Sequence, residues 1–380
     1  MAPARRHRLG FIGLGNRGRA HVRTFRRWFD ARAEPVAGAD AGATHLSEQG
    51  QGRAGWPEAI PEDRRFSDYR HLLALEEVEA VVIATYEASH LEIACAALDA
   101  GKAVLLEKAA VVSFAEAEAL YARLQRRPAR FQLALNLRHH EVIRTLRRLV
   151  REGGIGRVVS VTAHVNAGSG WGASVARRFY RHVRLSGDLT LSKLTHDSDV
   201  LHHILGTHAE TVAGVAARTT FLGPHAGEGQ DTDHGADDGT SHDTAAFAGQ
   251  FASGATYSLV FTTAGPVYQR RYHFNGTEGE LVATIGGREG DTVVHHRLDG
   301  PAVDVPLASA AGGHGGADPR LLGSFLDYLD AGHEAPVEPE SVLTSVMVPL
   351  GGLQAAREGR TVPVGAWYRR VRGAGDPPTT

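Results

Sequence analysis

The first third of the chain alternates short apolar runs with segments of helical periodicity. Arg8–Leu14, Glu34–Ala39, Ala80–Ala84, Ala103–Leu106 and Phe131–Leu135 are the nearly unbroken apolar runs expected of strands buried on both faces. Between them, Arg19–Phe29, Ala88–Ala100 and Ser113–Arg127 read as helices. Gly101 ends the second helix, and Glu116 follows Ser113 at capping-box spacing. Strand and helix alternating over short connections predict a parallel sheet covered on both faces. The expected first domain is therefore a doubly wound α/β unit over residues 1–136.

Beyond about residue 140 the pattern changes. His140–Arg151 reads as a helix ended by Gly153-Gly154. Then Val158–Val165, Thr211–Ala217, Thr244–Phe251, Ala255–Phe261, Tyr268–Phe274 and Glu280–Ile285 alternate apolar and polar positions. Glycine turns join them, and Asn275-Gly276 is the strongest hairpin signal. With helices over Lys193–Leu205, Pro319–Leu329 and Ser341–Glu358, residues 137–380 predict an α+β domain with a large, mostly antiparallel open sheet. An open face invites a second copy, so a homodimer or homotetramer is expected. Pro224–Ser241 is rich in Gly, Asp and His without periodicity and reads as an exposed loop. Its His225 and His234, with His242 beyond, match no ligand spacing, so no metal is expected.

Composition narrows the class. The 380 residues suit two domains, and a net charge of -2 gives no reason to invoke nucleic acid or a membrane surface. No apolar run is long enough to span a bilayer or to act as a secretory signal, and a cytoplasmic protein is expected. The single cysteine, Cys95, sits in an apolar helical pattern and is expected to be buried.

The most specific motif is Gly13-Leu14-Gly15-Asn16-Arg17-Gly18, a G-x-G-x-x-G between the first strand and the first helix. Gly13 permits the tight bend, Gly15 lets the backbone approach a pyrophosphate, and Gly18 lets helix and strand lie close. Asp40 closes the second strand about 22 residues beyond Gly18, where a carboxylate accepts from the hydroxyls of an adenosine ribose. It also repels a 2′-phosphate, which favours NAD over NADP. In open α/β sheets ligands lie beyond the carboxyl ends of the strands. The expected cofactor-binding residues are therefore Gly13, Gly15, Asn16, Arg17, Gly18, Asp40, Thr85, His90, Glu107 and Asn136.

These residues resemble the Gfo/Idh/MocA family, named for glucose–fructose oxidoreductase, inositol dehydrogenase and a rhizopine-catabolism protein. The likeness rests on Gly10–Ala20, on Thr85-Tyr86-Glu87-Ala88-Ser89-His90, and on Ala100-Gly101-Lys102 running through Glu107-Lys108. It continues through Asn136-Leu137-Arg138, Gly156–Val159, Gly172–Tyr180, Thr195–Leu201, Phe274–Gly279 and Gly312–Asp318. The resemblance implies an oxidoreductase moving a hydride between nicotinamide and a secondary alcohol or ketone of a sugar, sugar acid, cyclitol or amino-sugar. His196 is then the expected base, because an ordinary histidine exchanges protons near neutrality. Lys108 is the expected ammonium donor or alternative base, with Lys193 beside the reacting oxygen. Arg138, Arg177, Tyr180, Asp197 and His314 are expected to bind substrate, with Asp197 or Asp199 available to orient His196. Asp318 reads as an N-cap.

Two positions depart from the family pattern. Ala109 stands where proline usually follows Glu-Lys, often after a cis bond. A cis bond before a non-proline residue costs about 3 kcal/mol, so a different aim for Lys108 is expected. Ser192 stands where members resembling inositol dehydrogenase carry an aspartate. These departures keep two alternatives open, NAD-assisted glycoside cleavage and a non-catalytic nucleotide-binding sensor.

Overall fold

In the computed structural model, which describes residues 6–42, 56–126, 130–175, 179–219, 241–309, 311–331 and 337–373, the chain divides into two compact units. The first takes in residues 1–111, 119–139 and 311–342; the second takes in 112–118, 140–310 and 343–380.

Six strands build the first unit: β1 (His7–Ile12), β2 (Ala33–Ala39), β3 (Arg65–Phe66), β4 (Ala80–Ile83), β5 (Ala103–Leu106) and β6 (Phe131–Leu133). All pair in parallel, in the order β3-β2-β1-β4-β5-β6. The order reverses between β1 and β4, which opens a crevice at their carboxyl ends. β4 and β5, and β1 beyond His7 and Arg8, lie inside the sheet and are apolar and buried, as the unbroken runs required.

The helix Ala317–Ala331, which sequence order assigns to the second domain, packs on this first sheet. Leu321, Leu322 and Phe325, all 0% exposed, close a core with Leu9, Phe11, Val22, Phe25 and Leu105. Apolar spacing announces such a face but does not say which sheet it covers.

Eight strands build the second unit: β7 (Val158–Asn166), β8 (Ala209–Ala217), β9 (Thr244–Phe251), β10 (Thr256–Thr262), β11 (Gln269–Gly276), β12 (Gly279–Gly286), β13 (Thr292–Arg297) and β14 (Ala302–Asp304). Their order is β14-β13-β12-β11-β7-β10-β9-β8, and only β7 and β10 pair in parallel. Asn275-Gly276 is not the hairpin turn it resembles. It ends β11, and Thr277-Glu278 make the turn. A Cβ on Gly276 would lie 2.0 Å from the Ile155 carbonyl oxygen, so glycine serves a close backbone approach there.

The helix Leu189–Leu205 begins earlier than its apolar pattern suggests. Asp188 caps it, taking the Thr190 N–H at 2.7 Å, and Gly206 ends it in a left-handed conformation. Asp197, 0% exposed, ties the helix to the sheet. Its carboxylate accepts from Arg270 Nε at 3.0 Å and from the Tyr272 hydroxyl at 2.5 Å.

Phe325→Ala is expected to cost about 3–5 kcal/mol, with the loss falling on the first unit. Denaturant unfolding followed through Trp56, which packs on the same core, measures it.

Candidate functional site

The glycine turn has the geometry its three positions require. Gly13 has φ +84°, and a Cβ there would lie 2.6 Å from the Ala84 carbonyl oxygen and 2.8 Å from the Thr85 methyl. A Cβ on Gly18 would meet the Gly13 oxygen at 1.9 Å, so helix and turn touch backbone to backbone. A Cβ on Gly15 meets nothing within 4 Å: this side of the turn is open. The helix it starts, Asn16–Trp28, has no side-chain cap and no acidic residue in its first turn. An open glycine beside an uncapped helix start suits a pyrophosphate.

Asp40 follows β2. Its Oδ2 takes the Leu14 N–H at 2.6 Å, and its Oδ1 takes the Gly42 N–H at 2.9 Å. The carboxylate is thus fixed beside the glycine turn by backbone donors. These features together fit a dinucleotide.

Arg17 does something the sequence did not suggest. Its guanidinium grips Asp318 with both arms, Nη1 to Oδ2 at 2.9 Å and Nη2 to Oδ1 at 2.8 Å, while Nε donates to Glu107 Oε1 at 2.5 Å. His21 Nε2 donates to the same Glu107 oxygen at 2.7 Å. Asn136 Nδ2 donates to Asp318 Oδ1 at 3.0 Å, and His314 Nδ1 meets Asp318 Oδ2 at 2.9 Å. Arg17, Glu107 and Asn136, expected around a cofactor, are therefore brought together on one another and on Asp318. Asp318 is no mere N-cap. A carboxylate at the start of a helix that follows a glycine-rich loop was the available signal, but two of its partners, Arg17 and Asn136, come from beyond distant strands.

Electrostatics keep the cluster ionised. Burial alone would raise the Glu107 carboxyl, but the Arg17 charge and the His21 and Arg17 hydrogen bonds hold it well below the usual range. Burial of Asp318 is likewise overridden by its His314 and Arg17 hydrogen bonds and the Arg17 charge. Burial, with the Arg17 charge, lowers His21 and favours its neutral form.

His90 also departs from expectation. It is 0% exposed, and its Nδ1 donates to the Ala109 carbonyl at 2.7 Å, so it braces the segment carrying Lys108 instead of lining a pocket. Burial pushes it down to about 4. The Lys108–Ala109 peptide is cis although no proline is present, contrary to the geometry expected from Ala109. Lys108 itself is half-buried. Thr85 packs on Gly13 and accepts from Ser89 Oγ at 2.8 Å. Arg138 donates from its guanidinium to Ser341 Oγ at 2.8 Å and to Glu338 at 3.4 Å. Cys95 is half-buried, not enclosed, and burial raises its thiol.

In the second unit, His196 is half-buried on the helix Leu189–Leu205. Lys193, one turn earlier, holds its Nζ 3.7 Å above the Trp171 ring and 5.5 Å from that of Tyr180. Cation–π contact favours the charged ammonium. Ser192 is 0% exposed. Asp197 is committed to Arg270 and Tyr272, so neither substrate binding nor orientation of His196 falls to it. Sequence reasoning missed Trp171, which directly precedes the Gly172–Tyr180 stretch, and the pairing of His242 Nδ1 with Asp188 Oδ2 at 2.8 Å. Arg177 and most of the 224–241 loop lie outside the described residues. Among the described residues no group of three His, Cys, Asp or Glu side chains is placed to share a metal ion, and no helix is long and apolar enough to cross a membrane.

Two family profiles match. That of the oxidoreductase family NAD-binding Rossmann fold covers residues 7–135, and that of its C-terminal alpha/beta domain covers residues 147–364. The chain belongs to the Gfo/Idh/MocA oxidoreductase family. It is 28% identical over 211 residues to levoglucosan dehydrogenase of Pseudarthrobacter phenanthrenivorans, covering 52% of this chain and 51% of that protein. It is 26% identical over 217 residues to inositol 2-dehydrogenase of Salmonella paratyphi B, covering 57% of this chain and 59% of that one. The chain thus spans little more than half the length of these curated relatives. Scyllo-inositol dehydrogenase from Lactobacillus casei, solved with NAD(H) and scyllo-inositol, superposes with a TM-score of 0.72 at 19% identity, over 95% of this chain and all of that one. That likeness speaks for the fold.

Depressed carboxyl pKa values mean that the unfolded chain takes up protons before the folded one does. The stability contributed by Glu107 and Asp318 is full above about pH 4–5 and drains away as pH falls further. The neutral His21 acts in the same direction, because acid favours the unfolded, protonated ring. Glu107→Gln is expected to lower the melting temperature at pH 7, with the gap to wild type narrowing on acidification towards pH 3. Thermal denaturation across that range checks it.

Proposed function

We propose that this chain is an NAD-dependent dehydrogenase or ketoreductase acting on a secondary alcohol of a sugar, sugar acid, cyclitol or amino-sugar. The observation carrying the cofactor choice is Asp40: its oxygens are held by the Leu14 and Gly42 amides beside the open Gly15. A fixed carboxylate there accepts from ribose hydroxyls and repels a 2′-phosphate, which supports NAD over NADP. The NADH and NAD(H) complexes among related folds agree with that reading. Levoglucosan and inositol, named for the relatives, support the substrate class.

Nicotinamide, when bound, takes up or returns the hydride. The chain's residues manage the hydroxyl proton and orient the alcohol. His196 is assigned as the group that accepts this proton, its half-buried position on a rigid helix suiting the role. Lys108 is assigned as the ammonium that polarises the alcohol oxygen. Its segment is braced through Ala109 by His90 and through its own N–H, which donates to Glu107 Oε2 at 3.3 Å. Lys193 supplies a cation fixed by Trp171 and Tyr180, beside which Tyr180 is assigned to bind substrate. The open face of the eight-stranded sheet supports association of copies.

Reduction of NAD and NADP, followed at the nicotinamide absorbance band across sugars, sugar acids and inositols, tests the assignment. The expected result is turnover with NAD in preference to NADP on at least one polyol; no nucleotide binding at all sinks it. His196→Gln is expected to lower kcat/KM about 10²–10⁴-fold while leaving NADH affinity, read by fluorescence titration, near wild type. Wild-type turnover in that variant removes His196 from its role.

A further inference from the structure

Asp318 sits where three loops converge on the carboxyl edge of the first sheet. Arg17 stands on the first turn of the helix after β1, Asn136 follows β6, and Glu107, which follows β5, is joined to Asp318 through Arg17. Four N–H groups reach its two oxygens: both arms of Arg17, the Asn136 amide and His314 Nδ1. An ionised carboxylate offers about four lone-pair sites, so Asp318 has none left for a ligand.

His314 is different. A filled carboxylate can only accept, so His314 Nδ1 carries a proton, and in the neutral form of the ring Nε2 is left as an acceptor. The ring is about half exposed, 54% for the side chain. It stands in a left-handed conformation, φ 50°, between glycines that also bend the chain that way at Gly312, Gly315 and Gly316. A Cβ on Gly313 would come within 2.6 Å of Asp318 Oδ2, so the loop is drawn tightly over the carboxylate. Positive φ is uncommon for a residue other than glycine, and here it sets the direction of the His314 ring.

Position along the sheet says which part of a dinucleotide is near. Asp40, at the end of β2, marks the adenosine side of the β1–β4 switch point; β5 and β6 lie on the other side. We infer that Asp318 is a positioning residue for the dinucleotide, acting in two directions. Through Arg17 it fixes the first turn of the helix that receives the pyrophosphate. Through His314 it presents Nε2 as an acceptor to a hydroxyl or amide N–H of the nicotinamide half. This rests on the dinucleotide reading above and adds to it two residues outside the glycine fingerprint.

Binding measurements separate the two arms without turnover. NADH and ADP are titrated against wild type, Asp318→Asn, Arg17→Lys and His314→Gln, with melting temperature confirming that each variant is folded. ADP carries the adenosine and pyrophosphate but no nicotinamide half. Asp318→Asn and Arg17→Lys are expected to weaken both ligands, by about tenfold for a lost charge-assisted hydrogen bond. His314→Gln, a half-exposed change that leaves the Arg17 grip in place, is expected to weaken NADH several-fold and leave ADP unchanged. Wild-type affinities in folded Asp318→Asn overturn the proposal, as does His314→Gln that binds NADH normally or loses ADP equally. A wild-type protein that binds neither ligand overturns the dinucleotide reading itself, and this inference with it.

Discussion

One guanidinium between two carboxylates holds the nucleotide edge of the first unit together. Arg17 stands on the first turn of the glycine-turn helix, yet its charge is spent inward on Glu107 and Asp318. Removing a partner from a buried pair leaves an uncompensated charge, whose cost far exceeds that of a surface ion pair. Two negative charges face the one guanidinium, and further donors reach them: His21, Asn136 and His314. Loops after three strands and the start of the helix Ala317–Ala331 are therefore fixed relative to each other by one polar cluster. A turn meant to meet a pyrophosphate gains rigidity without a covalent link, which is what preorganised binding requires.

The second unit solves a similar problem with one helix. Asp197, Arg270 and Tyr272 are all buried, and burial with the Asp197 charge pushes the Tyr272 hydroxyl well up, so it stays a donor. Helix rotation is thereby set against β11. Residues one turn apart, Lys193 and His196, then emerge at defined positions, and the Trp171 ring further restricts the lysine. The placement of these two side chains depends on a buried salt bridge, Asp197 with Arg270.

Much of this was readable in the chain, for identifiable reasons. Strands β1, β4 and β5 announced themselves because a sheet buried on both faces demands unbroken apolar runs. The glycine turn was readable because each glycine answers a separate steric demand. Asn275-Gly276 misled because a dipeptide that favours turns also favours close approach, and only the Ile155 carbonyl distinguishes the two. The home of Ala317–Ala331 was hidden, since an apolar stripe does not name its partner. Polar residues were the least legible. Asp197, Arg138 and His90 have the residue types of ligand-binding groups, but their hydrogen bonds to Tyr272, Ser341 and the Ala109 carbonyl are set only in three dimensions.

Two aspartates on one sheet edge show how the distinction is made. Asp40 and Asp318 are both carboxylates beside the glycine turn, and residue type alone would give them equal standing. Among the described residues Asp40 receives two backbone N–H groups, one on each oxygen, which fix it while leaving lone pairs directed elsewhere. Asp318 receives four donors, and its capacity is exhausted. The first can therefore accept from ribose hydroxyls; the second can only hold others in place. Counting donors against lone pairs thus separates a binding carboxylate from a positioning one, and it points from Asp318 to the half-exposed ring of His314.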